Sequence, residues 1–139
     1  MRVVVDCNIL IAAGLTNGMC RKVLTWILEH HHVLISEEIC QEYAQVIQRD
    51  KFLPYRAYLQ EFLVLICEIG YLIKAPSSSP YPLPDKDDEK YLAVACAGNA
   101  HYLITGNKKH FSQDAYGSII ILSPTEFHAK FIDTTYVQD

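Results

Sequence analysis

Long apolar runs, paired cysteines and glycine-rich loops are missing from this chain, and each absence removes a class of function. No apolar stretch approaches the roughly 18 residues of a bilayer-spanning helix, so no membrane partner is expected. Asp6 interrupts the first apolar run, leaving no positive region followed by an apolar core and cleavage site, and a cytoplasmic protein is the expectation. The five cysteines, Cys7, Cys20, Cys40, Cys67 and Cys96, are odd in number and contain no Cys-x-x-Cys pair, against a zinc ribbon or a thioredoxin-type motif. Four of them stand beside apolar residues and read as small buried hydrophobes in a reducing compartment. The lack of a glycine-rich phosphate loop argues against a nucleotide-binding enzyme. Basic residues are also scarce: 12 Lys and Arg face 16 Asp and Glu, a net charge of −4. A negative protein is not an obvious nucleic-acid binder, unless several acids converge on divalent cations and make one site locally positive.

What is present is a globular composition, 50% hydrophobic and 20% charged over 139 residues, enough for a single domain spanning 1–139 with a sizeable core. Five short apolar segments have strand character: 3–5, 33–35, 71–73, 102–104 and 119–122. Helical spacing fills the intervals, over 19–28, 37–48, 55–66 and 88–97. Ser123, Pro124 and Glu126 spell a helix start, with a serine cap, proline at the first position and glutamate three residues after the cap. Strands alternating with helices predict a three-layer α/β/α fold around a central, mostly parallel, five-stranded sheet. Residues 75–84 (APSSSPYPLP) hold four prolines and read as a surface loop. His30, His31 and His32 read as a solvated helix C-terminus.

The chemistry-bearing residues are carboxylates. Val3-Val4-Val5 runs into Asp6, and an unalternating β-branched run suits a strand buried on both faces, whose carboxyl end is where open α/β sheets bind ligands. The alternative is that Asp6 simply caps the next helix. Glu42 lies at the edge of a buried helical stripe defined by Ile39 and Val46, where a lone glutamate snorkels, pairs with a cation or faces a cleft. Asp85, Asp87, Asp88 and Glu89 crowd the start of the 88–97 helix, a denser cluster than capping alone explains, with a solvated acidic turn as the alternative. The strand at 102–104 ends in Thr105-Gly106-Asn107, with a glycine where the backbone turns. Each of these groups lies at a strand end, a helix start or a helix edge that can face one cleft. Oxygen ligands without His or Cys favour Mg²⁺ or Mn²⁺ over zinc, and such ions activate water and neutralise a phosphodiester.

These segments, VVVDCNIL at 3–10, ICQEY at 39–43, DKDDEKYLAVA at 85–95 and NAHYLITGN at 99–107, resemble the PIN-domain ribonucleases that act as toxins of toxin–antitoxin systems. The resemblance spans nearly the whole chain in order. It implies a PIN-like α/β/α domain that holds Mg²⁺ or Mn²⁺ and hydrolyses single-stranded RNA, with a cognate antitoxin protein as partner and a homodimer as its assembly. Carried over by position, Asp6, Glu42 and Asp88 are the catalytic, metal-binding acids. Asp85 and Asn107 are further metal ligands, and Asn8 and Thr105 orient the ligands. The implied chemistry is attack on phosphorus by water activated at the metal, with a second metal or a lysine helping the leaving oxygen. Asn107 stands where the family usually has Asp and brings no charge, and Cys7 replaces the commoner Thr.

For RNA, Lys108, Lys109 and His110 follow the site directly and Arg21 with Lys22 opens an early helix, so these are the expected phosphate contacts; a solvated surface is the alternative for each. Asn107 also favours a second function, a catalytically weak PIN-like domain that binds RNA or a protein partner. A phosphate-signalling receiver domain is rejected, because the third strand is followed by Lys74 and Ala75 where that fold needs a phospho-acceptor aspartate.

Overall fold

The computed structural model describes residues 1–133. Its sheet has six strands in the order β3-β2-β1-β4-β6-β5. The strands are β1 (Arg2–Val5), β2 (His32–Ile35), β3 (Tyr71–Leu72), β4 (Tyr102–Ile104), β5 (Ala115–Tyr116) and β6 (Ile119–Leu122). All pairs are parallel except β5 with β6. The helices are α1 (Cys7–Leu15), α2 (Met19–His30), α3 (Glu37–Ile47), α4 (Arg56–Ile69), α5 (Glu89–Ala97) and α6 (Pro124–Phe127).

The valine run explains the layering. Successive side chains of a strand point to opposite faces, yet Val3, Val4 and Val5 are all 0% exposed. Both faces of β1 are therefore covered, which is the three-layer arrangement expected from the sequence. The sixth strand departs from that expectation. The β5 strand is two residues long and turns back into β6 through Gly117, whose φ of +60° lies in the region glycine adopts without strain. No two-residue segment shows a period, so this antiparallel edge leaves no sequence signal.

The helices use the signals read from the sequence. Ser36 Oγ accepts from the Ile39 amide at 3.1 Å and starts α3. Ser123 and Glu126 form the expected reciprocal cap, with bonds of 2.9 and 3.1 Å. Gly14 lets α1 press on α4, because a Cβ there would lie 2.2 Å from Leu59 Cδ2. The histidine run divides: His30 ends α2 and His32 opens β2. The proline-rich 75–84 loop holds no regular element and is clasped by buried Glu89, whose carboxylate accepts from the Ser79 amide at 3.1 Å and the Leu83 amide at 3.5 Å. Among the described residues, no helix is long and apolar enough to cross a membrane.

Candidate active site

Parallel pairing of β1 with β4 aligns their carboxyl ends, because Val5 pairs with Ile104 and the Asp6 amide donates to the Ile104 carbonyl at 2.9 Å. The residues that follow, Asp6 and Thr105, therefore face each other although 99 positions separate them. Asp6 stands at the N-cap position of α1 but makes no side-chain cap bond. Its Oδ2 instead accepts from Thr105 Oγ1 at 2.8 Å and from Asn8 Nδ2 at 3.3 Å. Asn8 is itself fixed by the Gly106 amide, which donates to Asn8 Oδ1 at 3.0 Å. Thr105 is completely buried and also accepts from the Asn107 amide at 3.1 Å. The carboxylate is thus aimed by its neighbours and not spent on the helix. Burial pushes its pKa up, and the nearby Glu42 charge adds to the shift against the Thr105 bond.

Asp6 opens onto a cleft of about 1110 Å³ whose walls come from α1, α3 and the segment around 85–90, with His110 at its edge. Asp88 lies there with its side chain 14% exposed, and its Oδ2 is buried with no hydrogen-bond partner. The His110 Nδ1 atom is 3.5 Å away, close enough for charge attraction. Burial raises the Asp88 pKa to about 6, helped by the charges of Asp6, Asp85 and Glu42 and opposed by His110. An ionised carboxylate deprived of donors beside other carboxylates is costly unless a cation joins it.

Glu42, the third acid, is held differently. Lys90 Nζ sits 2.5 Å from its Oε2, and the Tyr91 hydroxyl donates to its Oε1. Lys90 also donates to the Asp87 carbonyl at 2.8 Å. A second buried tyrosine, Tyr43 on α3, donates to the Val5 carbonyl and ties that helix to the end of β1. Asp85 lines the cleft, and its Oδ1 accepts from the Asp87 amide at 2.9 Å, capping the turn that precedes α5. Among the described residues, no three His, Cys, Asp or Glu side chains are arranged as ligands of one ion.

The family model described as PIN domain matches residues 2–109 of this sequence. The chain belongs to the PIN-domain family. No curated protein matches it in sequence. Among solved structures it is similar to a chain of VapBC2 from Rickettsia felis, crystallised bound to a DNA fragment from their promoter. The TM-score is 0.59 at 16% identity, covering 88% of this chain and 98% of that one. At that identity the likeness is one of fold.

Within this PIN domain the structure brings together Asp6, Glu42, Asp85 and Asp88, with Asn8 and Thr105 supporting Asp6. Asn107 is placed elsewhere: its Nδ2 lies 2.9 Å from His110 Nε2, and it does not line the cleft. Arg21 is also away from the cleft, its Nε donating to the Ala13 carbonyl at 2.7 Å and its guanidinium stacked 4.6 Å from the Tyr58 ring centroid. Lys108 pairs with Glu126 at 3.0 Å and with Asp114 at 3.5 Å, while Lys109 is exposed. Sequence reasoning missed Lys90 and Tyr91 as partners of Glu42. Both sit in the matched DKDDEKYLAVA segment, but a separation of nearly 50 residues carries no local signal.

Proposed function

We propose that this protein is a metal-dependent endoribonuclease that hydrolyses single-stranded RNA, and that it is the toxin of a toxin–antitoxin pair working in the cytoplasm. The observation that carries this reading is the orphaned, buried Asp88 Oδ2 in the same cleft as Asp6, both carboxyls pushed up by burial and by neighbouring acids. The donor set fits Mg²⁺ or Mn²⁺: hard carboxylate oxygens, one of them unpartnered, with no thiolate or imidazole ligand required. Asp6 and Asp88 would hold the ion, with Glu42 and Asp85 as the further carboxylates of the same cleft. A bound ion supplies charge neutralisation at the phosphodiester and activation of the attacking water.

The chain's own groups supply the rest. Six carboxylates line the cleft (Asp6, Glu38, Glu42, Asp85, Asp87 and Asp88) against two permanent cations, Arg49 and Lys90, so a polyanion enters only once cations offset that excess. Thr105 and Asn8 keep Asp6 in one orientation. Lys90 neutralises Glu42 and places an ammonium in the wall, within the reach of a substrate phosphate. His110, oriented by Asn107, offers a ring nitrogen at the cleft edge. The antitoxin partnership rests on the family resemblance, supported by the likeness in fold to a chain of VapBC2.

The test is cleavage of a labelled single-stranded RNA by purified protein with Mn²⁺, with Mg²⁺ and with EDTA, beside the Asp6→Asn and Glu42→Gln variants. Metal-dependent cleavage lost in both variants is the expected result. Absence of cleavage by folded protein with either metal would overturn it. That outcome would favour a second reading, a PIN domain that binds RNA or protein without cutting. The observation on that side is Glu42, whose two oxygens are engaged by Lys90 and Tyr91.

A further inference from the structure

Two of the five cysteines, distant in sequence, meet in the fold. Cys40 on α3 and Cys67 on α4 are both free thiols, and their Sγ atoms approach to 3.4 Å. We infer that Cys40 and Cys67 form an oxidative modification site, which a low-molecular-weight disulfide converts to an intramolecular disulfide that clamps α3 to α4. The inference stands on thiol geometry and is independent of the proposed nuclease activity.

Access sets the order of events. Cys67 is the one exposed cysteine of the five, Cys7 being buried and Cys20, Cys40 and Cys96 intermediate. Thiol–disulfide exchange needs an accessible thiolate, so Cys67 attacks first. Its Sγ bonds to one sulfur of the reagent disulfide, and the other sulfur leaves as a thiolate. Cys40 then gives up its proton and attacks Cys67 Sγ, forming the Cys40–Cys67 bond and expelling the second reagent thiolate. The protein loses two thiol hydrogens and two electrons, and the reagent disulfide is reduced to two thiols. Cys40, half-buried against Cys67, is less open to the reagent than Cys67 is. Closing the bond shortens the sulfur separation from 3.4 Å to about 2.05 Å, a shift that side-chain rotation supplies when the thiols already touch.

The consequence reaches the cleft. Residues 40–67 become a closed loop, and within it lie Gln41, Glu42, Gln45, Val46, Arg49 and Phe52, all lining the cleft. A cross-link of that loop length raises Tm by on the order of 10 °C through lost unfolded-state entropy. It also slows opening of the wall that holds Glu42. In a reducing compartment such a bond is transient and redox-sensing, not a permanent staple.

The experiment incubates the purified protein with oxidised glutathione, alkylates the remaining thiols and maps the peptides by mass spectrometry. The expected result is a chain not cross-linked to another, with two thiols lost, a link between the Cys40 and Cys67 peptides, a raised Tm and slower amide exchange over 41–52, all reversed by dithiothreitol. Cys40→Ser is expected to stop at a glutathione adduct on Cys67 with no rise in Tm. Cys67→Ser, a change at an exposed position, is expected to leave Cys40 unmodified. A wild-type protein that retains a stable glutathione adduct at Cys67, links between molecules, or resists the reagent would overturn the assignment.

Discussion

Replacing Asp88 with asparagine is expected to stabilise the metal-free protein at pH 8. The carboxyl of Asp88 is raised from its ordinary 3.8 to about 6 in the fold, so the folded state binds its proton more tightly than the unfolded state does. By linkage, no penalty exists below the unfolded pKa. It grows as pH rises from about 4 to about 6 and stays constant above. A shift of this size corresponds to about 3 kcal/mol if none of it is screened. The cleft is open to water, and we discount the effect to about 1 kcal/mol. For a chain of this length that is a rise in Tm of about 3–5 °C. The assay is thermal unfolding by circular dichroism in EDTA, at pH 5 and pH 8, for wild type and Asp88→Asn. The advantage of the variant is expected to be larger at pH 8 than at pH 5. Saturating Mn²⁺ is expected to reverse the order, because an ion held at 100 times its Kd adds about 2.7 kcal/mol to the state that binds it. A variant less stable than wild type at pH 8 in EDTA, or a difference unchanged between the two pH values, would refute the crowded-carboxylate argument.

Thr105→Val keeps the shape of a fully buried side chain but removes the donor to Asp6 and the acceptor for the Asn107 amide; a loss of about 2 kcal/mol in chemical denaturation, with reduced cleavage, is expected. Tyr43→Phe leaves the Val5 carbonyl without its side-chain donor and is expected to cost about 1–2 kcal/mol on the same measurement. Gly14→Ala drives a methyl to 2.2 Å from Leu59 Cδ2, so a loss of about 1–3 kcal/mol is expected, largely cancelled against a Leu59→Ala background. Full stability in the single Gly14→Ala variant would mean that α1 and α4 are not in this close contact.

Features encoded within a few consecutive residues were legible in advance. The valine run at 3–5 marked a strand covered on both faces, because only such a position accepts apolar side chains without alternation. Ser123, Pro124 and Glu126 marked a helix start, because a capping box is complete within four residues. The acids at 85, 87, 88 and 89 marked the approach to α5. Together with Asp6 and Glu42 they carried the resemblance to the PIN family, since hard cations are bound by oxygens whose identity a sequence displays directly.

What the sequence could not show are pairings across long separations, where the partner is chosen by sheet order and helix packing. Asp6 meets Thr105 because β1 lies beside β4, and this turns Asp6 away from the helix cap that local reasoning also allowed. Glu42 finds Lys90 and Tyr91 because α3 and α5 approach one another, and Cys40 finds Cys67 because α3 lies along α4. Arg21 and Lys108, read as candidate phosphate contacts, are drawn to the Ala13 carbonyl and to Glu126, since a cation settles on whichever acceptor the fold brings near. Asn107 likewise joins His110 and does not itself line the cleft. Periodicity and capping act over one or two turns of chain and can be read along it. The chemistry of the cleft depends on distances between segments that only the folded packing sets.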